Sequence, residues 1–185
     1  MTVPPIAKAT LQSALINAGS NVLAQAISAY KDEKPFDLDT KTVLQFTACA
    51  VVISPLTFLW LGNLESVFPG FTGEKVVSEK EKKLQPPKQK LNIQNTMAKI
   101  IIDQTIGSAW YTVLFIVTMG ALQGQEYEVI QRQVQGDFWP IMIAGFKLWP
   151  FVSLLNFTVV PADKRLLVGN LFGVVWAVYL SLMSR

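Results

Sequence analysis

The chain has 185 residues, of which 51% are hydrophobic and only 16% charged, and its mean hydropathy is +0.35. Soluble domains carry about 25% charged residues, so this is the composition of an integral membrane protein. Histidine is absent and Cys49 is the only cysteine, which removes the usual general base and leaves no internal disulfide and no cysteine-based zinc site. The net charge of +3 is too small to mark a nucleic-acid partner. No metal and no cofactor is expected.

The first predicted helix covers residues 7–29. It is rich in alanine, and its polar residues Thr10, Ser13, Asn17, Asn21, Gln25 and Ser28 recur at steps of three or four. That spacing forms one uncharged stripe. In a membrane the stripe must face other helices or a wet cavity, because lipid cannot satisfy amides. The second helix covers residues 42–64, with no charge over its 23 positions. It satisfies the requirement of about 20 apolar residues for crossing a bilayer.

A hydrophilic loop follows at residues 66–96, with Gly70, Gly73, Pro86-Pro87 and six lysines, at positions 75, 80, 82, 83, 88 and 90. The third helix is expected at 98–123. Asp103-Gln104 opens its uncharged part, and Asp103 stands four residues after Lys99, in reach of an i, i+4 pair. The alternative partner for Asp103 is Lys147, which interrupts a fourth apolar segment at 138–160. On that segment Met142, Gly145, Trp149, Ser153 and Asn156 share one helical face, with Lys147 nearly opposite. Pro150 is expected to kink it, since proline removes a backbone hydrogen bond and clashes with the preceding turn. Lys147 either snorkels to the surface or lines a polar path.

The fifth segment, 166–184, carries Gly169, Gly173, Ala177 and Ser181 at steps of four, a ridge that lets another helix approach closely. The reading is an all-α polytopic bundle forming a single domain over 1–185, with four to five membrane-level helices and one long charged loop. With five spans, the side holding the amino terminus and the loop has nine basic residues and the other five, so that side is expected to face the cytosol or matrix. The amino terminus "MTVPPIAKATLQ" has neither transit-peptide nor signal-peptide character, so targeting information is expected to be internal. Without a Gly-rich phosphate loop or a nucleophile beside a base, no enzyme is expected.

The carboxyl-terminal third resembles a known family, the Mpv-seventeen family of small peroxisomal and mitochondrial membrane proteins. The ordered set that carries the likeness is Trp139-Pro140, Gly145, Lys147, Trp149, Asn156-Phe157, Val160-Pro161, Arg165, Asn170, Trp176 and Leu180-Ser181. "SPLTFLWLGNLESVFPG" and "KIIIDQ" are similar to the family's second- and third-helix motifs, and "NVLAQ" at 21–25 is similar to its peroxisomal branch. Ser54, Phe58, Ala109 and Ser153 stand where the family has glycine, histidine, proline and glutamine. The resemblance implies an organelle membrane protein, peroxisomal by preference and of the mitochondrial inner membrane otherwise.

Two functions follow as expectations. One is a channel or conductance modulator for small solutes, with a polar path along Thr10, Ser13, Asn17, Asn21, Gln25, Asp103, Lys147, Trp149, Ser153 and Asn156. The other is a non-transporting scaffold that organises membrane or partner proteins, with assembly driven by the Gly169–Ser181 ridge. The expected partners are the lipid bilayer, small solutes and a second copy of the chain.

Overall fold

The computed structural model describes residues 3–72 and 90–183, with side chains described to Tyr179. It contains α1 (Pro5–Lys31), α2 (Thr40–Val67), a two-stranded stem of β1 (Phe71–Thr72) and β2 (Lys90–Leu91), α3 (Ile93–Ile102), a π-helical turn (Asp103–Gly107), α4 (Ser108–Leu122), α5 (Tyr127–Gly145), α6 (Trp149–Thr158), a 3-10 turn (Ala162–Lys164) and α7 (Arg165–Met183). The all-α bundle is as expected. The loop lysines at 75, 80, 82, 83 and 88, and Arg185, lie outside the described residues.

Among the described residues two helices are long and apolar enough to cross a bilayer, α2 and the continuous 30-residue rod Ile93–Leu122, and the bent pair of α5 and α6 makes a third span if it counts as one. At 1.5 Å per residue that rod is about 45 Å long. The fourth segment departs from expectation. Its helix begins at Tyr127, not 138, and it is two helices bent by 58° rather than one over 138–160. The break falls at 146–148, and Pro150 sits in the first turn of α6. There its missing N–H costs nothing, whereas inside a continuous helix its ring would clash with the carbonyl four residues back, that of Phe146.

Two shorter contacts fix the remaining helices. α1 packs against α2 and α7, and Asn170 Nδ2 donates to Ser13 Oγ at 2.6 Å. Gln25 closes the α1–α2 connector, accepting from the Asp39 amide at 2.9 Å and donating to its carbonyl at 3.2 Å. Asp39 caps α2 through the Thr42 amide. The Thr42 hydroxyl and amide hold the Asp39 carboxyl below its usual range, so this cap is intact at neutral pH and is lost as pH falls through that lowered value.

α4 packs on α2 and α5, and α6 packs on α3, on the π-turn and on α7. The bent pair therefore runs back along the long rod. An apolar core of Cys49, Ile53 and Met119, with Phe46, Leu114 and Phe115 against it, joins α2 to α4. Asn170→Val should lower stability by about 1 kcal/mol or less, the usual worth of one interhelical hydrogen bond in a membrane. Thermal unfolding in detergent measures it, and a loss several times larger would mean that Asn170 does more than bridge α1 and α7.

Candidate functional site: a buried ionic layer beside an intramembrane carboxylate

Three charged residues from three helices meet where the bundle joins the loop stem. Glu65 lies in the last turn of α2, Lys99 in α3, and Arg165 opens α7. Glu65 Oε2 accepts from Lys99 Nζ at 2.6 Å and from Arg165 Nη1 at 2.5 Å. The two cations are 0% and 2% exposed, whereas the Glu65 side chain is 26% exposed. Phe157 of α6 lies against both cations, its ring centroid 5.2 Å from Lys99 Nζ and 5.1 Å from Arg165 Cζ. Its ring therefore adds cation–π attraction to a carboxylate that alone balances only one of the two charges.

The backbone completes this layer. Gly70 N–H donates to Glu65 Oε1 at 2.8 Å, and its carbonyl accepts from the Asn92 amide at 2.8 Å, so the loop stem is fastened to the ionic layer. A Cβ at Gly70 would lie 2.6 Å from Lys99 Nζ, so a side chain here would push the ammonium out of its place. Arg165 Nε donates to the carbonyls of Asn156 at 3.0 Å and Val160 at 3.3 Å. Asn156 returns a bond from Nδ2 to the Arg165 carbonyl at 3.3 Å.

One helical turn further along the rod, about 6 Å, stands Asp103. Its Oδ1 accepts from Trp60 Nε1 at 3.0 Å, and its Oδ2 accepts from the Ser153 hydroxyl and from Gln104 Nε2. Gln104 also reaches Ser153 Oγ at 3.2 Å. The π-turn builds this geometry, because the Ser108 amide turns to the Asp103 carbonyl five residues back. Gly107 leaves room for the Trp60 indole, which a Cβ would meet at 3.0 Å. Beyond it Thr112 of α4 faces Met142 of α5. The π-turn thus lies between a contact to α6 and a contact to α5, alongside the break at 146–148.

The expected site residues do not fall on one passage. Asp103 and Ser153 meet each other, and Asn156 sits in the adjoining ionic layer. Ser13 meets Asn170. Thr10 and Asn17 donate to carbonyls of their own helix, and Asn21 Oδ1 accepts from Gln25 Nε2. Lys147 is exposed at the break and among the described residues partners neither Asp103 nor another acid, while Trp149 lies against Gly145. Lys99 turns to Glu65 instead of Asp103, because the carboxylate of a second helix reaches it directly. In the proposed ridge, a Cβ at Gly169 would lie 4.0 Å from Asn156 Nδ2, a Cβ at Gly173 would meet nothing within 4 Å, and the side chain of Ser181 is outside the described residues. The sequence reading missed Glu65 and left Arg165 as a hallmark residue without a role. The available signal was a lone acid in an otherwise uncharged span end, just before Pro69-Gly70.

These features define the class: an integral membrane helix bundle with ionisable groups held inside it. Residues 120–181 match the model of the Mpv17 / PMP22 family. The chain is 27% identical to PXMP2/4 family protein 3 of Dictyostelium discoideum, over 97% of this chain and 84% of that protein. It is 24% identical to protein sym1 of Schizosaccharomyces pombe, over 97% and 85%. It is 29% identical to the Mpv17-like protein of Bos taurus, over 68% and 53%. No solved structure matches. Residues 120–181 thus resemble the Mpv17 / PMP22 family, and the relatives support an organelle membrane, peroxisomal or mitochondrial inner, as the location.

Removing Glu65 leaves two buried cations unpaired. Glu65→Ala should therefore cost about 3–5 kcal/mol, the usual cost of breaking a buried pair. Adding Lys99→Met should recover a large part, since one cation then disappears with the acid. Melting temperatures of both single variants and the double variant in one detergent decide this, and a double loss equal to the sum of the two single losses would show that the charges are not coupled.

Proposed function

We propose that the protein is a channel or conductance modulator for small solutes, in a closed conformation, and that it works without catalysis. The supporting observation is Asp103: a carboxylate inside the apolar rod, held only by neutral donors, with no cation within ion-pair distance among the described residues. An ionisable group at membrane depth is costly, and in channels and transporters such groups mark solute paths. It stands where a π-turn faces a broken helix, the kind of irregular backbone tolerated within a membrane where it is buried in protein or lines a cavity. The Glu65–Lys99–Arg165 layer sits one turn nearer the loop stem and blocks that route in this conformation. "NVLAQ" supports a peroxisomal membrane, and the sym1 relative supports a mitochondrial one.

A scaffold role is the second reading. It is favoured by Gly173, whose open surroundings leave space for a helix of another copy.

Solute efflux from liposomes containing the pure protein tests the first reading. Efflux should exceed that of empty liposomes, and Asp103→Asn should change the ratio of cation to anion passage severalfold, with Lys147→Ala having the smaller effect. Efflux equal to that of empty liposomes, from protein shown to be folded, would remove the channel reading and leave the scaffold.

A further inference from the structure

The ionic layer is built as an anion site that the protein's own carboxylate fills. Lys99 Nζ, Arg165 Nη1 and Gly70 N–H converge on one acceptor group. The two cations are buried at 0% and 2% exposure, while the carboxylate they hold is 26% exposed. The acid is therefore the outermost member, and it is the one part that can leave without disturbing the helices behind it. The two cations have contacts besides it. Arg165 is tied by Nε to two carbonyls, and Phe157 backs both cations.

Charge separates possible occupants. Glu65 brings one negative charge to two positive ones. No other acid of the described residues bonds to either cation, since Asp103 is committed to Trp60, Gln104 and Ser153. The layer is left with a surplus of one positive charge in a low-dielectric setting. A doubly charged oxyanion balances both cations and offers more acceptor oxygens to the same donors.

We infer that the Lys99, Arg165 and Gly70 cradle binds a doubly charged oxyanion of the phosphate type, which displaces the Glu65 carboxylate. The ligand is either a soluble phosphate or the phosphate of a lipid headgroup. Binding does not depend on whether solute crosses the membrane, so this site and the channel reading stand or fall by separate measurements.

The test uses the full chain in phosphatidylcholine nanodiscs. Inorganic phosphate and sulfate should raise the melting temperature of the wild type more than chloride at equal ionic strength. Glu65→Gln keeps the shape and removes the competing charge, so its affinity for phosphate should rise by roughly tenfold or more, equivalent to about 1.4 kcal/mol. If Glu65→Gln folds poorly in chloride, phosphate and sulfate should restore its folding, which counts equally for the site. A second arm replaces part of the phosphatidylcholine with phosphatidic acid. Stabilisation by that lipid with no further effect of phosphate assigns the site to the headgroup, and stabilisation by phosphate in neutral nanodiscs assigns it to a soluble ligand. If phosphate, sulfate and phosphatidic acid all act no more strongly than chloride on the wild type, and Glu65→Gln gains no affinity, the inference is overturned.

Discussion

The organisation of this bundle depends on how two buried cations share one carboxylate. Lys99 and Arg165 enter from helices that are far apart in the chain, and neither is stable inside a membrane alone. Glu65 supplies the charge, Phe157 supplies a polarisable wall against both cations, and Gly70 supplies a passage narrow enough for the loop stem to join them. Four segments are fixed by one set of contacts: the end of α2, the loop stem, α3 and the start of α7. Desolvation makes this arrangement poor as a source of stability and strong as a source of specificity. A packing error that separates any two members exposes the whole cost.

Polarity then changes in layers along the rod. At the stem end there are formal charges in contact. Next comes a single carboxylate held by an indole, a hydroxyl and an amide. Beyond that lie a threonine against a methionine and an apolar core around Cys49, Ile53 and Met119. Each layer uses fewer charges and more surface contact than the one before. The two backbone irregularities lie beside each other at the second step, where α-helical hydrogen bonding alone would not place a carboxylate against both α2 and α6.

The apolar segments were readable from hydropathy because crossing a bilayer demands length and the absence of charge, and α2 and the long rod meet both demands in the sequence itself. The extent of α5 was not readable in that way. Its first turns, around Glu128, Arg132 and Asp137, are polar and exposed, so a search for apolar runs starts too late. Pro150 announced a disturbance, but a proline serves a helix start as readily as a kink, and only the packing of α6 on α3 decides between them. The polar stripe of α1 was correctly spaced, yet spacing does not tell a residue that lines a path from one that bonds its own backbone, as Thr10 and Asn17 do. Glu65 escaped notice because its partners lie 34 and 100 positions away, and no periodicity links such positions.

The ionic layer also limits how the sequence can change over time. A chain that loses Glu65 carries two unpaired charges, and one that loses Lys99 or Arg165 forfeits a donor and leaves Phe157 facing a single cation. Any side chain added at Gly70 pushes on the same ammonium. Single steps at these positions pass through states worse than either end, so the residues are inherited as a block or exchanged together. In descendants of this chain, replacement at 65 should be accompanied by replacement at 99 or 165, a correlation set by charge balance within the bundle.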